Sequence, residues 1–427
     1  MIENASEGIY LYDEHTWGAD TSIREPDSIR TLGQWRFKRR PLAQAYENTM
    51  RAADGVIPHA ADHHVMPHSG HHATMHKDLY TIAIDETTGR ITSIFDKVNN
   101  RELVDSAQGF GMNELIYVES VNNETPARLQ NVRVEKTADT PEYLEYAITG
   151  SAPNMPVVEQ AVRLYRDRNL ILFANRIEKQ AVRAKEAIYF AFPFNAPGGV
   201  LRADVTGGVM QLENDQAPGA SRDWISMQDT AAAVSHDYSI LFYTPDAPLI
   251  APEGLRVNTF QKKLPLQNTT LFSYIMNNYW HTNYVAEQGG EFLFRYAVAG
   301  APRRVKDSEI VNFATAPDNP LASYRLPVSQ TGMDQNALVQ ITPDTVRVLG
   351  VKTAEKGSGL IVRMQEMDGA QTRVTIKLAP ELNITKATVT DLVEKPVRES
   401  TVAPGNQGAA TVTETLGPRG YLTLLLE

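Results

Sequence analysis

The chain of 427 residues is long enough for about three domains, and its 42% hydrophobic and 22% charged residues are ordinary for a globular protein with more than one core. Its net charge of −10 and pI near 5.6 argue against a nucleic acid or an acidic membrane as a partner. Because the chain contains no cysteine, disulfides, thiol nucleophiles and thiolate metal sites are excluded.

The N-terminal residues 1–7 are acidic and lack the apolar segment of a signal peptide. No apolar run along the chain approaches the roughly 18 residues that a transmembrane helix needs. We therefore expect no membrane partner and, by default, a cytoplasmic location.

Residues 9–20 run from a short apolar, strand-like piece into a polar cluster that contains Asp13, Glu14, His15 and Trp17. A neutral imidazole is a good zinc ligand, and a neighbouring carboxylate can orient the ring or bind a sugar hydroxyl. On these residues alone we favour the simpler interpretation, a loop whose histidine caps or hydrogen-bonds a neighbour.

Residues 26–57 have helical spacing of apolar positions, with a start signal at residues 26–28. Pro41 interrupts this pattern, which predicts either a kink or two consecutive helices. We expect the helical segment to end between Gly55 and Pro58.

Residues 58–78 contain seven of the ten histidines of the chain, among alanine, proline, serine and glycine. Histidine-rich tracts can bind metal. The tract has no apolar periodicity, however, so we favour a flexible connector with no fixed metal site.

From Leu79 onward the pattern changes from helical spacing to the alternation that is typical of strands. Tyr80, Ile82 and Ile84 alternate with small or polar residues, and a turn containing Gly89 separates them from a second alternating run. Later segments repeat this pattern up to the C-terminus, and the continuous apolar runs at residues 170–174 and 187–192 indicate strands buried on both faces. The sequence therefore predicts a mainly β fold after residue 79, with helix confined mainly to residues 26–57.

Two loops in the β region are unusually polar and aromatic. One supplies Arg222 and Asp223, and the other supplies Asn278, Trp280, His281 and Asn283. Amides and carboxylates can bind sugar hydroxyls, and aromatic faces can cover a pyranose ring. The same residues could equally brace two sheets as a buried polar cluster. If they form a shared binding site, the two loops should meet on one face of the β region.

Several segments resemble one known family, glycoside hydrolase family 38, which contains the α-mannosidases. The meander IDxxTGxIxSIxDK followed by RELVD, at residues 84–105, resembles the strand pair that opens the family's large C-terminal β-domain. Further similar segments are LYDEHTWGA (11–19), RLYRDRNLILFANRIEKQ (163–180), KEAIYFAFPF (185–194), NNYWHTNY (277–284) and LIVRMQE (360–366). The resemblance covers roughly residues 9–57 and 79–427.

This resemblance implies a domain order. Residues 1–25 would be a remnant of the last active-site segment of a catalytic barrel, residues 26–57 a helical linker and residues 58–78 a connector. Residues 79–335 would form a large, galactose mutarotase-like β-sandwich, and residues 336–427 a terminal β-sandwich.

The resemblance also implies retaining, zinc-dependent hydrolysis of α-mannosides in the complete enzyme, with a carbohydrate as the partner and oligomers possible. His15 would be a zinc ligand. Residues that would contact the substrate are Asp13, Glu14, Trp17, Arg222, Asp223, Asn278, Trp280, His281 and Asn283. Retaining hydrolysis needs two carboxyls about 5–5.5 Å apart, and the family takes both from the barrel, so we assign no catalytic residue in this chain. The rival interpretations are a non-catalytic carbohydrate-binding or interaction module and a truncated fragment.

Overall fold

The computed structural model describes residues 2–12, 18–53, 79–119, 126–256, 260–278, 284–314, 338–405 and 409–427. Its helices within these ranges are α1 (Ile2–Tyr12), α2 (Ile29–Lys38), α3 (Arg40–Ala53) and α4 (Asp307–Asn312). Among the helices of the described residues, none has the length and apolar character needed to cross a membrane.

The strand-like interpretation of residues 9–12 is wrong, because they form the last turn of helix α1. A four-residue apolar run has no periodicity that separates strand from helix, so packing decides its conformation. Helix α1 lies against α3, and Gly8 is what permits the approach. A Cβ atom at Gly8 would lie 2.6 Å from the carbonyl oxygen of Pro41.

The predicted break at Pro41 is confirmed, since two consecutive helices, α2 and α3, meet at Arg39. The Ser28 side chain caps α2 by accepting a hydrogen bond from the Thr31 backbone N–H at 3.2 Å. Pro41 lies in the first turn of α3, where its missing N–H costs no intrahelical hydrogen bond. The predicted end of the segment, between Gly55 and Pro58, lies outside the described residues.

The β region that follows contains a three-stranded meander and two larger sheets, of nine and five strands, within the described ranges. The strands are β1 (Tyr80–Ile84), β2 (Ile91–Asp96), β3 (Arg101–Glu102), β4 (Glu114–Glu119), β5 (Gln130–Asp139), β6 (Tyr143–Ala152), β7 (Met155–Tyr165), β8 (Ile171–Lys179), β9 (Glu186–Phe194), β10 (Val200–Val205), β11 (Gly208–Gln211), β12 (Ile225–Ser226), β13 (Thr230–Val234), β14 (Ser239–Tyr243), β15 (Leu249–Pro252), β16 (Thr269–Asn277) and β17 (Gly290–Ala301). The meander has the order β1-β2-β3, the larger sheet has the order β11-β10-β13-β14-β17-β8-β7-β6-β5, and the smaller sheet has the order β12-β15-β16-β9-β4.

Strand β9 lies between β16 and β4 in the five-stranded sheet, and all nine of its residues are buried. Phe190, Phe192 and Phe194 belong to the main core, which also includes side chains of the nine-stranded sheet. Tyr189 and Ala191 belong to a separate apolar cluster that also contains residues of the neighbouring strands β4 and β16. The prediction that residues 187–192 form a strand buried on both faces is therefore confirmed.

The meander at residues 80–102 docks on the nine-stranded sheet through Asp96. This buried carboxylate accepts hydrogen bonds from the Tyr238 hydroxyl at 2.7 Å and from the backbone N–H groups of Val98 and Asn99, each at 3.0 Å. Gly300 of strand β17 lies beneath the same hydroxyl, where a Cβ atom would be 1.9 Å from the oxygen of Tyr238. The aspartate of the sequence motif is therefore a structural contact between the meander and the sandwich.

A second sandwich follows, with a four-stranded sheet in the order β18-β21-β25-β24 and a five-stranded sheet in the order β19-β20-β26-β22-β23. Its strands are β18 (Val339–Thr342), β19 (Val346–Thr353), β20 (Leu360–Glu366), β21 (Thr372–Leu378), β22 (Ala387–Thr390), β23 (Pro396–Ser400), β24 (Val402–Pro404), β25 (Ala410–Leu416) and β26 (Tyr421–Leu426). Apolar residues of both sheets form its own core. The mainly β fold with a large and a terminal sandwich, predicted from the sequence, is confirmed for the described residues.

The two sandwiches are joined through helix α4. Asp307 forms ion pairs with Arg202 of strand β10 and with Arg419 of the second sandwich. The buried Glu366 carboxylate accepts hydrogen bonds from the backbone N–H groups of Asp368 and Gly369, each at 2.8 Å, and of Arg419 at 3.0 Å. Buried carboxylates with paired charges and several N–H donors fix this junction.

Candidate functional site

The predicted site residues divide into two groups. Arg222, Asp223 and Asn278 lie in described parts of the chain. The others lie outside the described residues and remain sequence-based predictions: Asp13, Glu14, His15, Trp17, Trp280, His281 and Asn283.

Asn278 follows the last residue of strand β16 and ties together three chain segments. Its backbone N–H donates to the carbonyl of Glu186 at 2.8 Å. Its side-chain amide donates to the carbonyls of Val182 at 3.3 Å, Ala184 at 2.8 Å and Ala286 at 3.1 Å. The bracing interpretation therefore applies to the amide nitrogen of Asn278, which fixes the loops on both sides of it.

A cavity of about 390 Å³ opens beside Asn278. It is lined by Arg39, which lies between helices α2 and α3, and by residues of the β region: Glu186, Met276, Asn277, Asn278, Tyr284, Val285, Glu287, Gln288 and Gly289. Its volume falls within the range of about 300–1,000 Å³ that is typical of small-molecule sites. Amide, carboxylate, guanidinium and aromatic groups converge here, as hydrogen bonding to a polyhydroxylated ligand requires.

A buried ion pair forms the base of this cavity. The Nζ atom of Lys179 lies 2.7 Å from the Oε1 atom of Glu186, and the two side chains are only 0% and 2% exposed. The Tyr117 hydroxyl and the Asn154 amide donate to the Oε2 atom of Glu186, at 3.0 and 3.2 Å. Burial, followed by the charge of Glu186, raises the pKa of Tyr117 above its usual range. Both oxygens of the Glu186 carboxylate are therefore engaged by partners within the fold.

Sequence reasoning missed Lys179 and Glu186, because residues 163–180 and 185–194 were treated only as segments that resemble the family. The available signal was their position: a lysine ends the buried strand β8, and a glutamate begins the fully buried strand β9. Charged residues are almost never fully buried without a partner. A lysine and a glutamate at adjacent ends of two buried strands could have been read as a buried pair.

The N-terminal helical segment is held near this cavity by Arg183. The guanidinium contacts both carboxylate oxygens of Asp27, each at 2.8 Å, and its Nε atom contacts Glu287 at 3.1 Å. These hydrogen bonds raise the pKa of Arg183, and the bond with Asp27 contributes most. The same hydrogen bond lowers the pKa of Asp27. The cavity thus lies at the junction of the helical segment and the β region.

Arg222 and Asp223 lie elsewhere. Arg222 is buried, and its Nε atom pairs with Glu213 at 2.9 Å. Asp223 is buried as well and accepts a hydrogen bond from the backbone N–H of Phe260 at 3.3 Å.

Strand register shows how far apart the two loops are. Ile225 pairs with Ile250 in strand β15, and Pro252 of the same strand pairs with Leu271 of β16. Since β12 and β15 are antiparallel, Asp223, two residues before Ile225, is level with Pro252 and therefore with Leu271. Leu271 is near the start of β16, whereas Asn278 follows the end of that strand. Six residues of strand separate these levels by roughly 20 Å. The expectation that Arg222 and Asp223 cluster with Asn278 is wrong, because a loop's composition does not reveal the end of the sandwich at which it emerges.

Among the described residues, no group of three histidine, cysteine, aspartate or glutamate side chains could hold a metal ion. His15 lies outside those residues. The zinc ligand therefore remains a prediction from the sequence resemblance.

Two family models match the chain. The model of the glycosyl hydrolases family 38 C-terminal domain matches residues 75–237, and that of the family 38 C-terminal β-sandwich domain matches residues 345–419. Together they account for more than half of the chain. No curated protein matches the sequence.

Two solved structures from Enterococcus faecalis share the fold. A glycosyl hydrolase family 38 protein from Enterococcus faecalis is 13% identical, with a TM-score of 0.59, over 83% of this chain and 44% of that one. An α-mannosidase from Enterococcus faecalis V583 is also 13% identical, with a TM-score of 0.57, over 83% and 42%. A galactose mutarotase-like protein from Lactobacillus casei covers 54% of this chain and 99% of its own, at 11% identity and a TM-score of 0.34.

The chain spans less than half of the length of both Enterococcus proteins. The matched domains are C-terminal ones, and their β architecture is the one described above. The chain therefore belongs to glycoside hydrolase family 38, of which it carries the C-terminal β portion.

Proposed function

We propose that this chain is the β portion of an enzyme that hydrolyses α-mannosides with retention, and that the cavity beside Asn278 forms one wall of its carbohydrate pocket. The observation that carries the proposal is the junction itself. Arg39 of the helical segment and Glu287 of the β region line the same cavity, and Arg183 ties both parts together through Asp27 and Glu287. Pockets at such junctions are common ligand sites.

The chemistry of the cavity suits a sugar. Gln288 is exposed at its rim, so its amide can donate to and accept from vicinal hydroxyl groups. Glu287 supplies a carboxylate that can accept hydrogen bonds from the sugar and that also forms an ion pair with Arg183. Glu186, in contrast, is engaged by Lys179, Tyr117 and Asn154, so we assign it to holding the wall in place.

The hydrolytic step needs groups beyond the described residues. Zinc, when bound, would polarise or orient the reacting groups of the complete enzyme. Of its ligands we propose only His15 from this chain. Asp13, Glu14, Trp17, Trp280, His281 and Asn283 remain proposed substrate contacts, and the nucleophile and the acid/base are assigned to no residue here.

The test is release of nitrophenol from an aryl α-mannoside, with added zinc, by the protein in the form in which it occurs naturally. We expect turnover. We also expect Gln288→Ala to raise KM about 3- to 10-fold, because one or two hydrogen bonds to the sugar are lost. The matched control is Gln371→Ala, an exposed amide in the second sandwich that should leave KM unchanged.

Absence of turnover would refute the hydrolytic part of the proposal. Mannoside binding without turnover, weakened by Gln288→Ala, would instead support a non-catalytic carbohydrate-binding module. Equal KM values for Gln288→Ala and Gln371→Ala would show that the cavity is not part of the carbohydrate pocket.

A further inference from the structure

A second cleft, of about 930 Å³, lies at the other end of the sandwich from Asn278. One wall is the loop at residues 211–222, which follows strand β11. The other wall is the segment at residues 262–268, which leads into strand β16. The start of strand β10 forms the floor. This cleft shares no lining residue with the cavity beside Asn278.

The first wall is held in place by its own hydrogen bonds. The Gln211 N–H donates to Asp215 at 2.7 Å, and the Glu213 N–H donates to the Gln216 side chain at 3.0 Å. Arg222, only 4% exposed, pairs with Glu213 at 2.9 Å. The loop is therefore fixed before any ligand arrives, as small-molecule sites usually are.

The second wall is anchored as well. Leu264 is buried, and the Asn268 side-chain amide donates to the Gln108 side chain at 3.1 Å. Asn268 also accepts a hydrogen bond from the Thr270 N–H at 2.8 Å at the start of strand β16. Both walls therefore rest on the frame of the sandwich.

The charge of the lining is positive, although the whole chain carries a net charge of −10. Arg222 is neutralised by Glu213. Lys262 and Lys263 are exposed, and neither forms an ion pair with any residue in the described ranges. Two ammonium groups in a concave site on an acidic protein create a local field that favours an anion over a neutral ligand.

The remaining lining has both amide and apolar groups. Gln211 and Asn214 present side-chain amides, and Leu201, Leu264 and Leu266 supply apolar surface. Such a mixture fits a sugar ring, whose hydroxyls bind amides while its C–H groups contact apolar side chains.

We propose that this cleft is an accessory site for an anionic saccharide, a sugar that carries a carboxylate or a phosphate. The anionic group contacts Lys262 and Lys263, and the ring contacts Gln211 and Asn214. The site lies roughly 20 Å from Asn278 by strand length, so it is separate from the proposed mannoside pocket and does not depend on hydrolysis.

The test is calorimetric titration of the whole chain with methyl α-mannoside, mannuronic acid, mannose 6-phosphate and inorganic phosphate. We expect at least one of the two anionic sugars to bind at least 10-fold more tightly than inorganic phosphate. Methyl α-mannoside reports binding in the proposed mannoside pocket, and its affinity should be the same in wild type and in a variant without Lys262 and Lys263. The comparison of mannuronic acid with mannose 6-phosphate identifies the anionic group. Binding should weaken as salt rises from 0.05 to 0.5 M, because exposed charges are screened.

The K262E/K263E variant should lose at least 10-fold in affinity for that sugar. The control K356E/K395E makes the same change in net charge at two exposed lysines of the second sandwich and should bind normally. An equal loss in both variants would show a general charge effect and overturn the proposal. So would equal affinity for the anionic sugar and for inorganic phosphate, or an equal loss of affinity for methyl α-mannoside in K262E/K263E. Aryl mannoside turnover should be the same in K262E/K263E and wild type, which separates this test from that of the proposed function.

Discussion

The N-terminal helices and strand β9 of the β region differ in how far they bury their apolar side chains. Strand β9 buries every residue between two apolar clusters. The helical segment instead exposes Ile29 at 91%, Tyr46 at 67% and Phe37 at 64%. Its ion pair with the β region, Asp27 with Arg183, is itself exposed. Among the described residues, the helical segment therefore leaves several large apolar side chains exposed, whereas strand β9 buries all of its own.

The largest effect should come from the buried ion pair of the β region. Glu186→Gln leaves the Lys179 ammonium buried without a charged partner, which should cost about 3–5 kcal/mol of the free energy of unfolding. Urea unfolding followed by fluorescence measures it. Glu159→Gln removes one partner of an exposed pair and should change little. If the two variants unfold at the same urea concentration, the Lys179–Glu186 pair does not stabilise the sandwich.

The close approach of the meander to strand β17 should give the next largest effect. In Gly300→Ala, the new Cβ atom would collide with the Tyr238 hydroxyl, which is fixed by Asp96. Overpacking of this kind should cost about 1–3 kcal/mol. Gly350→Ala is the control, because its Cβ atom meets nothing within 4 Å. Equal thermal unfolding midpoints for both variants would show that the meander docks more loosely than described.

A pH-dependent effect should arise where the two sandwiches meet. Burial raises the pKa of Asp204 to about 6, although Arg347 lies 3.3 Å away. The folded state therefore binds this proton more tightly than the unfolded state, whose pKa is near 3.8. The group contributes stability below about pH 4 that is lost as the pH rises through 6.

Asp204→Asn imitates the protonated form, so it should gain stability relative to wild type between pH 4 and pH 7. We expect a gain of about 1–2 kcal/mol after allowance for solvent screening. Urea unfolding at several pH values across this range measures the difference. A difference that stays constant with pH would show that Asp204 does not titrate in this window.

The smallest effect on global stability should come from Arg183→Ala, which removes the exposed contacts with Asp27 and Glu287. The urea midpoint of the β region should not move, but protease cleavage within residues 18–53 should become faster. Arg133→Ala, which breaks an exposed pair within the large sheet, should leave that cleavage rate unchanged. An unchanged rate in Arg183→Ala would mean that the helices are held by other contacts.

The strands of this fold could be predicted because alternation and turn residues are local signals. The meander at Tyr80–Asp96, the break at Pro41 and the fully buried β9 all follow from spacing within a few residues. Residues 9–12 could not be assigned, because their conformation depends on packing of Gly8 against α3.

The candidate site was less predictable, because it depends on which loops meet. Asn278 was found from its polar neighbourhood, but its role as a brace depends on carbonyl groups at residues 182–184 and 286. Lys179 and Glu186 come together only when the end of strand β8 and the start of strand β9, which belong to different sheets, meet in the folded protein. Arg222 and Asp223 were grouped with Asn278 by composition alone, and strand register separates them.

The position of Asp307 has a consequence for cooperativity. One carboxylate in a six-residue helix pairs with Arg202 of the first sandwich and with Arg419 of the second. Separation or melting of either sandwich would remove one of the two guanidinium partners of this buried carboxylate. The two units should therefore absorb heat in a single calorimetric transition, with a van't Hoff enthalpy equal to the calorimetric enthalpy. Two cores that look independent would behave as one thermodynamic body.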